Sequence, residues 1–158
     1  MSARLYAVGT LDMPAAVRAD FARAVRYLDG DSRMRGIVRQ AEHADRPLHL
    51  RINHHGSDSY DPSTDTIAWD PRSALATSEG GRQSPALGLG HELDHATVPA
   101  AVRERGEARY DPVYDNAEER RVIRGSEAHA ARSLGEDVRY DHAGRLYTVD
   151  SPTLRRVA

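Results

Sequence analysis

The chain has 158 residues and a formal net charge of −2 at pH 7, with acidic and basic side chains interspersed along its length. That pattern offers no broad basic face for nucleic acid, and no apolar run approaches the roughly 20 residues needed to cross a bilayer, so neither is expected as a partner. Cysteine is absent, which excludes a disulfide framework and any thiolate metal site.

A chain of this size can bury a core without cross-links, and residues 1–158 show no repeat, low-complexity run or linker, so one domain is expected. All 22 basic residues are arginine. A GC-rich coding sequence produces that bias, and a protein working inside a foreign cell would also gain by offering ubiquitin no lysine amine. The opening segment MSARLYAVGT lacks the long apolar stretch of a Sec signal peptide, so any export is expected by another route.

In chain order, Arg4 to Val8 reads as a short strand. Asp12 and Pro14 open a helix with Met13, Val17, Phe21, Val25 and Leu28 on one face, ended by Asp29-Gly30-Asp31. A weaker helix follows with Met34, Ile37, Val38 and Ala41 as its stripe. Leu48, Leu50 and Ile52 alternate with polar residues, the period of a half-buried strand. Gly56 to Ser63 is rich in turn formers, and Thr66 to Trp69 reads as a strand stopped by Asp70-Pro71. Ser78 to Arg82 reads as a flexible connection.

Ser84-Pro85 is then a helix-start signal, a capping serine followed by a proline suited to the first helical position. The helix it opens carries His91-Glu92-Leu93-Asp94-His95, an HExxH pattern. Positions i and i+4 share a helical face, so His91 and His95 can grip one metal ion while Glu92 reaches an activated water. Gly88 and Gly90 each weaken a helix interior by about 1 kcal/mol, and the compensation expected is tight packing beside the metal. Without thiolates the ion must be held by imidazole and carboxylate, a donor set that suits catalytic zinc.

Val98 to Asp115 reads as a long surface loop, and a second strong helix as running from Asn116 to Leu134, closed by Gly135. Val138 to Tyr140 and Leu146 to Val149 flank Asp141-His142-Ala143-Gly144, which predicts a C-terminal β-hairpin. The Asn116 helix matters because a two-histidine zinc site needs a third protein ligand. Glu119 shares a face with Val122, Ile123, Ser126 and Ala130, whereas Glu118 points about 100° away. Glu119 is therefore the preferred ligand, with Glu118 as a carboxylate that orients a histidine or replaces Glu119 as ligand, and Glu127 as a further alternative. Asn116-x-x-Glu119 also fits a capping box, in which Glu119 would merely bond back to the Asn116 N–H. The remaining histidines are less informative. His54 and His55 point to opposite faces of a strand end and chelate poorly together, and His43, His49 and His129 are expected to be solvated.

The segment SPALGLG leading into HELDHA, followed by EERRVIRG from Glu118 to Gly125, resembles the short zincin effectors of the NleD type that bacteria deliver by type III secretion. The same two segments are similar to those of clostridial neurotoxin light chains. Ile67 to Pro71 and Arg139 to Gly144 extend the likeness over roughly residues 48 to 150, while Asp94 and residues 1 to 47 depart from the pattern. The resemblance implies a gluzincin in which the second glutamate of the pair, Glu119, is a zinc ligand, and an α+β zincin-like domain with a small mixed sheet packed on the HExxH helix and on a second, glutamate-bearing helix. It also implies a secreted enzyme acting in the host cytoplasm on a host protein such as a signalling kinase.

The expected chemistry is peptide hydrolysis with Glu92 as proton carrier and one donor for the negative charge that develops on the scissile carbonyl. Arg139 and Tyr140 are the first candidates for that donor, since neurotoxin light chains use a late arginine and tyrosine; His142 is the third. Substrate is expected to extend along Thr66 to Trp69 by β-augmentation, with Trp69 equally suited to the core, and the protein is expected to act as a monomer. A toxin against competing bacteria, a processing peptidase, and a non-enzymatic module with an incidental HExxH are the alternatives.

Overall fold

In the computed structural model, residues 14–154 and the backbone of residues 5–7 are described. Asp12 and Met13, expected at the first helix, lie outside that range. Strand β1 (Leu5–Ala7) precedes α1 (Ala15–Leu28) and α2 (Ser32–Glu42), and α2 is capped by Asp31, whose side chain accepts the Met34 N–H at 2.9 Å. Strand β2 (Leu48–Ile52) buries Leu48 and Leu50 and exposes Arg51, as its alternation requires. Next come β3 (Ser59–Asp61) and β4 (Thr66–Trp69), and the four strands form a sheet in the order β1-β2-β4-β3. The first three are parallel and β3 is antiparallel to β4.

Two expectations change here. The Gly56–Ser63 loop contains a strand, invisible to periodicity because Ser59-Tyr60-Asp61 has no apolar alternation and is held by pairing with β4. Thr66–Trp69 is hydrogen-bonded on both sides, so it cannot accept an added strand, and β3 is the sheet edge instead. Trp69 is fully buried, meets Phe21 edge-on at 6.3 Å, and donates its indole N–H to Pro85 O at 2.8 Å. The tryptophan thus ties the sheet to the start of the next helix.

A second sheet has the order β6-β5-β9, built from β5 (Ser73–Thr77), β6 (Arg82–Gln83) and the late β9 (Gly144–Thr148). The expected C-terminal hairpin does not form: Val138–Tyr140 is not a strand, and β9 pairs antiparallel with β5, Leu146 opposite Leu75. The segment that leads into 138–140 is held at the other end of that sheet, where the Asp137 carbonyl accepts the Gln83 side-chain amide at 3.0 Å and the Asp137 carboxylate accepts the Arg82 N–H at 2.8 Å.

Helix α3 (Pro85–Thr97) is the central element. Ser84 caps it by accepting the Leu87 N–H at 3.1 Å, and Glu136 accepts the Ser84 N–H at 2.7 Å and the Tyr27 hydroxyl at 2.6 Å. Leu87, Leu89 and Leu93 are buried against Leu28, Met34, Ile67 and Trp69, each such side chain contributing about 1.5–3 kcal/mol. Gly90 does not pack beside the histidine cluster. A Cβ there would lie 2.9 Å from Met34 Sδ and 3.1 Å from Leu28 Cδ2, so this glycine lets α1 and α2 close on the helix.

The expected loop from Val98 to Asp115 is largely structured. It contains α4 (Ala100–Glu107) and a tight pair of strands, β7 (Tyr110–Asp111) and β8 (Asp115–Asn116). Prolines and arginines mask the helix in sequence. Arg103 is buried, with its guanidinium 5.3 Å from the Tyr60 ring centroid, so α4 is clamped onto β3. The Asn116–Leu134 helix is also not continuous: α5 (Ala117–Val122) runs into a π-helical turn (Ile123–Glu127) and then α6 (Ala128–Leu134), with Gly125 at φ −97°, ψ −105°. Gly135 ends α6 in the left-handed region at φ 71°. No helix among the described residues is long and apolar enough to cross a membrane.

Candidate metal centre

One turn of α3 separates His91 from His95, and their Nε2 atoms lie 3.0 Å apart with the rings edge to face. From α5, Glu119 reaches between them, Oε2 at 3.0 Å from His91 Nε2 and Oε1 at 3.1 Å from His95 Nε2. His91, His95 and Glu119 form a group that could hold a metal ion. Both histidines are buried, and the cluster opens on a cleft of about 510 Å³.

The far sides of the rings decide what the near sides can do. His91 Nδ1 is 2.7 Å from Glu127 Oε2, and His95 Nδ1 is 3.0 Å from Glu118 Oε1. A carboxylate can only accept, so each Nδ1 carries a proton, and whenever a ring is neutral its Nε2 presents a bare lone pair. Two imidazole lone pairs and a carboxylate then converge with no donor among them. Glu119 Oε2 is buried and makes no hydrogen bond, although it lies 3.0 Å from His91 Nε2. Such a set needs a cation or a shared proton at its centre. Donors bound at 2.0–2.1 Å to a tetrahedral ion sit about 3.3 Å apart, only a few tenths of an ångström wider than the spacing here.

The supporting carboxylates are themselves held. Glu127 receives Arg139 Nε at 2.7 Å, Arg139 Nη2 at 2.9 Å and the Gln83 amide at 3.1 Å. Glu118 receives Arg121 Nε at 2.8 Å and Nη2 at 2.7 Å. The same Arg121 Nη2 is 2.8 Å from Asp94 Oδ1, and the Ser126 hydroxyl donates to the other Asp94 oxygen. Asp94 therefore bolts α3 to the glutamate-bearing helix rather than facing the metal group. The Asn116 side chain accepts the Glu119 N–H at 2.9 Å, so this residue caps with its backbone and keeps its carboxylate for the cluster.

A kink sets the direction of Glu127. Gly125 has non-helical φ and ψ, so the helical repeat of about 100° per residue does not run from Glu119 through to Glu127, and across the break both carboxylates reach His91, at Nε2 and at Nδ1 respectively. Sequence periodicity assumes a regular helix and underrates Glu127 for that reason.

Burial would lower the His91 pKa, but the carboxylates of Glu119 and Glu127 on either side of the ring outweigh it and lift it to about 10. His95 is raised in the same way by Glu118 and Glu119. Burial opposes ionisation of Glu118 and Glu127, yet Arg121 and His95 hold the first at about 2, and His91 and Arg139 hold the second at about 2. Glu119 is held below the carboxylate range by both histidines, against its burial. Glu92 lines the cleft; burial pushes it up, against the pull of His91 and His95.

Of the late-chain candidates, Arg139 lines the cleft but is bound to Glu127, and His142 lines it with Nε2 3.5 Å from Glu119 Oε2. Tyr140 is 55% exposed and is not among the cleft-lining residues. Three residues of the site were not expected there: Arg121, whose place in EERRVIRG gave no sign of what it would bind, and Gln83 and Asp58, which belong to no motif and meet the site only through the fold. His129 is not simply solvated: its Nδ1 is 2.6 Å from the buried Asp31 carboxylate. His54 and His55 lie on the surface away from the cluster. Comparisons with protein-family models, curated proteins and solved structures found no match.

Proposed function

We propose that this chain is a zinc-dependent endopeptidase of the gluzincin type, related to the short type III effectors whose motifs it resembles and acting on a host protein. The observation that carries the reading is Glu92 on the cleft wall beside a two-histidine, one-glutamate donor set in which each histidine is backed by its own carboxylate. With no thiolate in the chain, that donor set suits a catalytic zinc ion, which when bound would acidify a water and polarise a carbonyl.

Glu92 takes the water's proton on its carboxylate and hands it to the leaving amine nitrogen; its raised pKa favours the second half of that cycle. His142, beside Glu119, is the side chain to donate a hydrogen bond to the charge developing on the scissile oxygen, a contribution of about 10²–10³ in rate. Arg139 holds Glu127 and through it the orientation of His91. The substrate backbone adds to the edge strand β3, whose Tyr60 and Ser59 line the cleft.

Purified protein is expected to carry one zinc ion, and Glu92→Gln to keep it while cleavage falls about 10²–10⁴-fold. The decisive comparison is of new N-termini in host lysate treated with each form. A chain without stoichiometric zinc and indifferent to chelator would end the enzyme reading.

A further inference from the structure

Asp58 stands immediately before β3, on the wall of the same cleft as Glu92. Its Oδ1 accepts the Asp70 N–H at 2.8 Å, which holds the side chain against the sheet. Its Oδ2 lies over α3: a Cβ built on Gly88 would sit 2.9 Å from that oxygen. Gly88 and Glu92 are one helical turn apart on the same face, so a bare glycine makes room for a second carboxyl beside the proton carrier.

Among the described residues no cation stands out beside it. The charges that bear on Asp58 most, Glu92 and Asp70, are both acidic. The cleft's arginine is committed, Arg139 to Glu127, and His142 stands beside Glu119. Burial therefore pushes the Asp58 carboxyl up to about 8, with the Asp70 N–H working against the rise and Glu92 adding to it. A half-buried carboxylate with acidic neighbours is costly to ionise, and a positively charged ligand group relieves that cost.

We infer that Asp58 is the specificity residue of the cleft, selecting substrates that carry an arginine or lysine side chain at one position flanking the scissile bond. The inference rests on the endopeptidase reading and names the substrate class for it. The edge of β3 aligns the substrate backbone, and the carboxyl at the start of that strand receives the cationic side chain as an ion pair sheltered by α3.

The test is cleavage of a proteome-derived peptide library, prepared with a glutamate-specific protease so that arginine and lysine remain internal, by zinc-loaded wild type, Asp58→Asn and Asp58→Glu. Asparagine keeps an acceptor for the Asp70 N–H and the shape of the side chain. The expected wild-type result is a basic residue favoured about tenfold or more at a single subsite, reduced to near parity by Asp58→Asn and partly restored by Asp58→Glu. A merely structural Asp58 would lower cleavage of all peptides together and leave the ratio unchanged, which overturns the inference. So does a wild-type profile without basic preference. Absence of any cleavage that distinguishes wild type from Glu92→Gln would overturn the endopeptidase reading first, and Asp58 with it.

Discussion

Two glutamates one residue apart do different work because a helix turns about 100° between them. Glu119 meets both Nε2 atoms, whereas Glu118 meets His95 from behind and is gripped by Arg121. Replacing them separates the roles. Glu119→Gln is expected to abolish stoichiometric zinc binding, while Glu118→Gln and Glu127→Gln keep the ion but weaken it about 10–100-fold, as loss of a histidine's outer partner does. Competition against a chromophoric chelator measures all three. Zinc retained in Glu119→Gln and lost in Glu118→Gln would reverse the assignment.

At the level of elements, the cluster depends on how closely α4 and α5 approach. Gly106 of α4 has no room for a side chain: a Cβ would lie 2.8 Å from Glu118 Cβ and 3.0 Å from its Cα and N. Gly106→Ala must push α5 outward, carrying Glu118 and Glu119 away from the histidines. A loss of about 1–3 kcal/mol in denaturant stability is expected, together with weaker zinc binding. Unchanged affinity would mean that α5 yields without moving its carboxylates. The kink at Gly125 acts in the opposite sense, giving up helix regularity just before Glu127, which meets His91 Nδ1 at 2.7 Å.

Across the whole molecule, a metal ion held by His91, His95 and Glu119 would compete with a proton for one pocket. In the metal-free chain His91 is raised from 6.5 to about 10, so its contribution to stability is complete below pH 6.5 and lost as pH climbs through 10. A bound ion replaces that proton. Zinc should therefore raise the melting temperature by an amount that grows between pH 6.5 and 10, and its affinity should fall in acid as the ligands take up protons. Melting curves with zinc and with chelator across that window check both. A zinc-induced shift that is flat with pH would mean that no proton leaves the cluster on binding.

Local features of the chain were sufficient for the capped α3 helix, the shared face of His91 and His95, the buried alternation of β2 and the phase that singles out Glu119. All of these depend on spacing within a few residues, where helix and strand geometry act directly. What lay between distant segments was decided by packing alone. The pairing of β9 with β5, the edge position of β3, the insertion of α4, the meeting of Glu127 with His91 across the kink at Gly125 and the meeting of Asp58 with Gly88 each join residues whose side chains carry no local signal of one another. The histidines were legible as candidate metal ligands because chemistry and spacing coincide in five residues. Their carboxylate partners were only partly so, because the orientation of a buried acid is set by the helix that carries it and by the arginine that satisfies it.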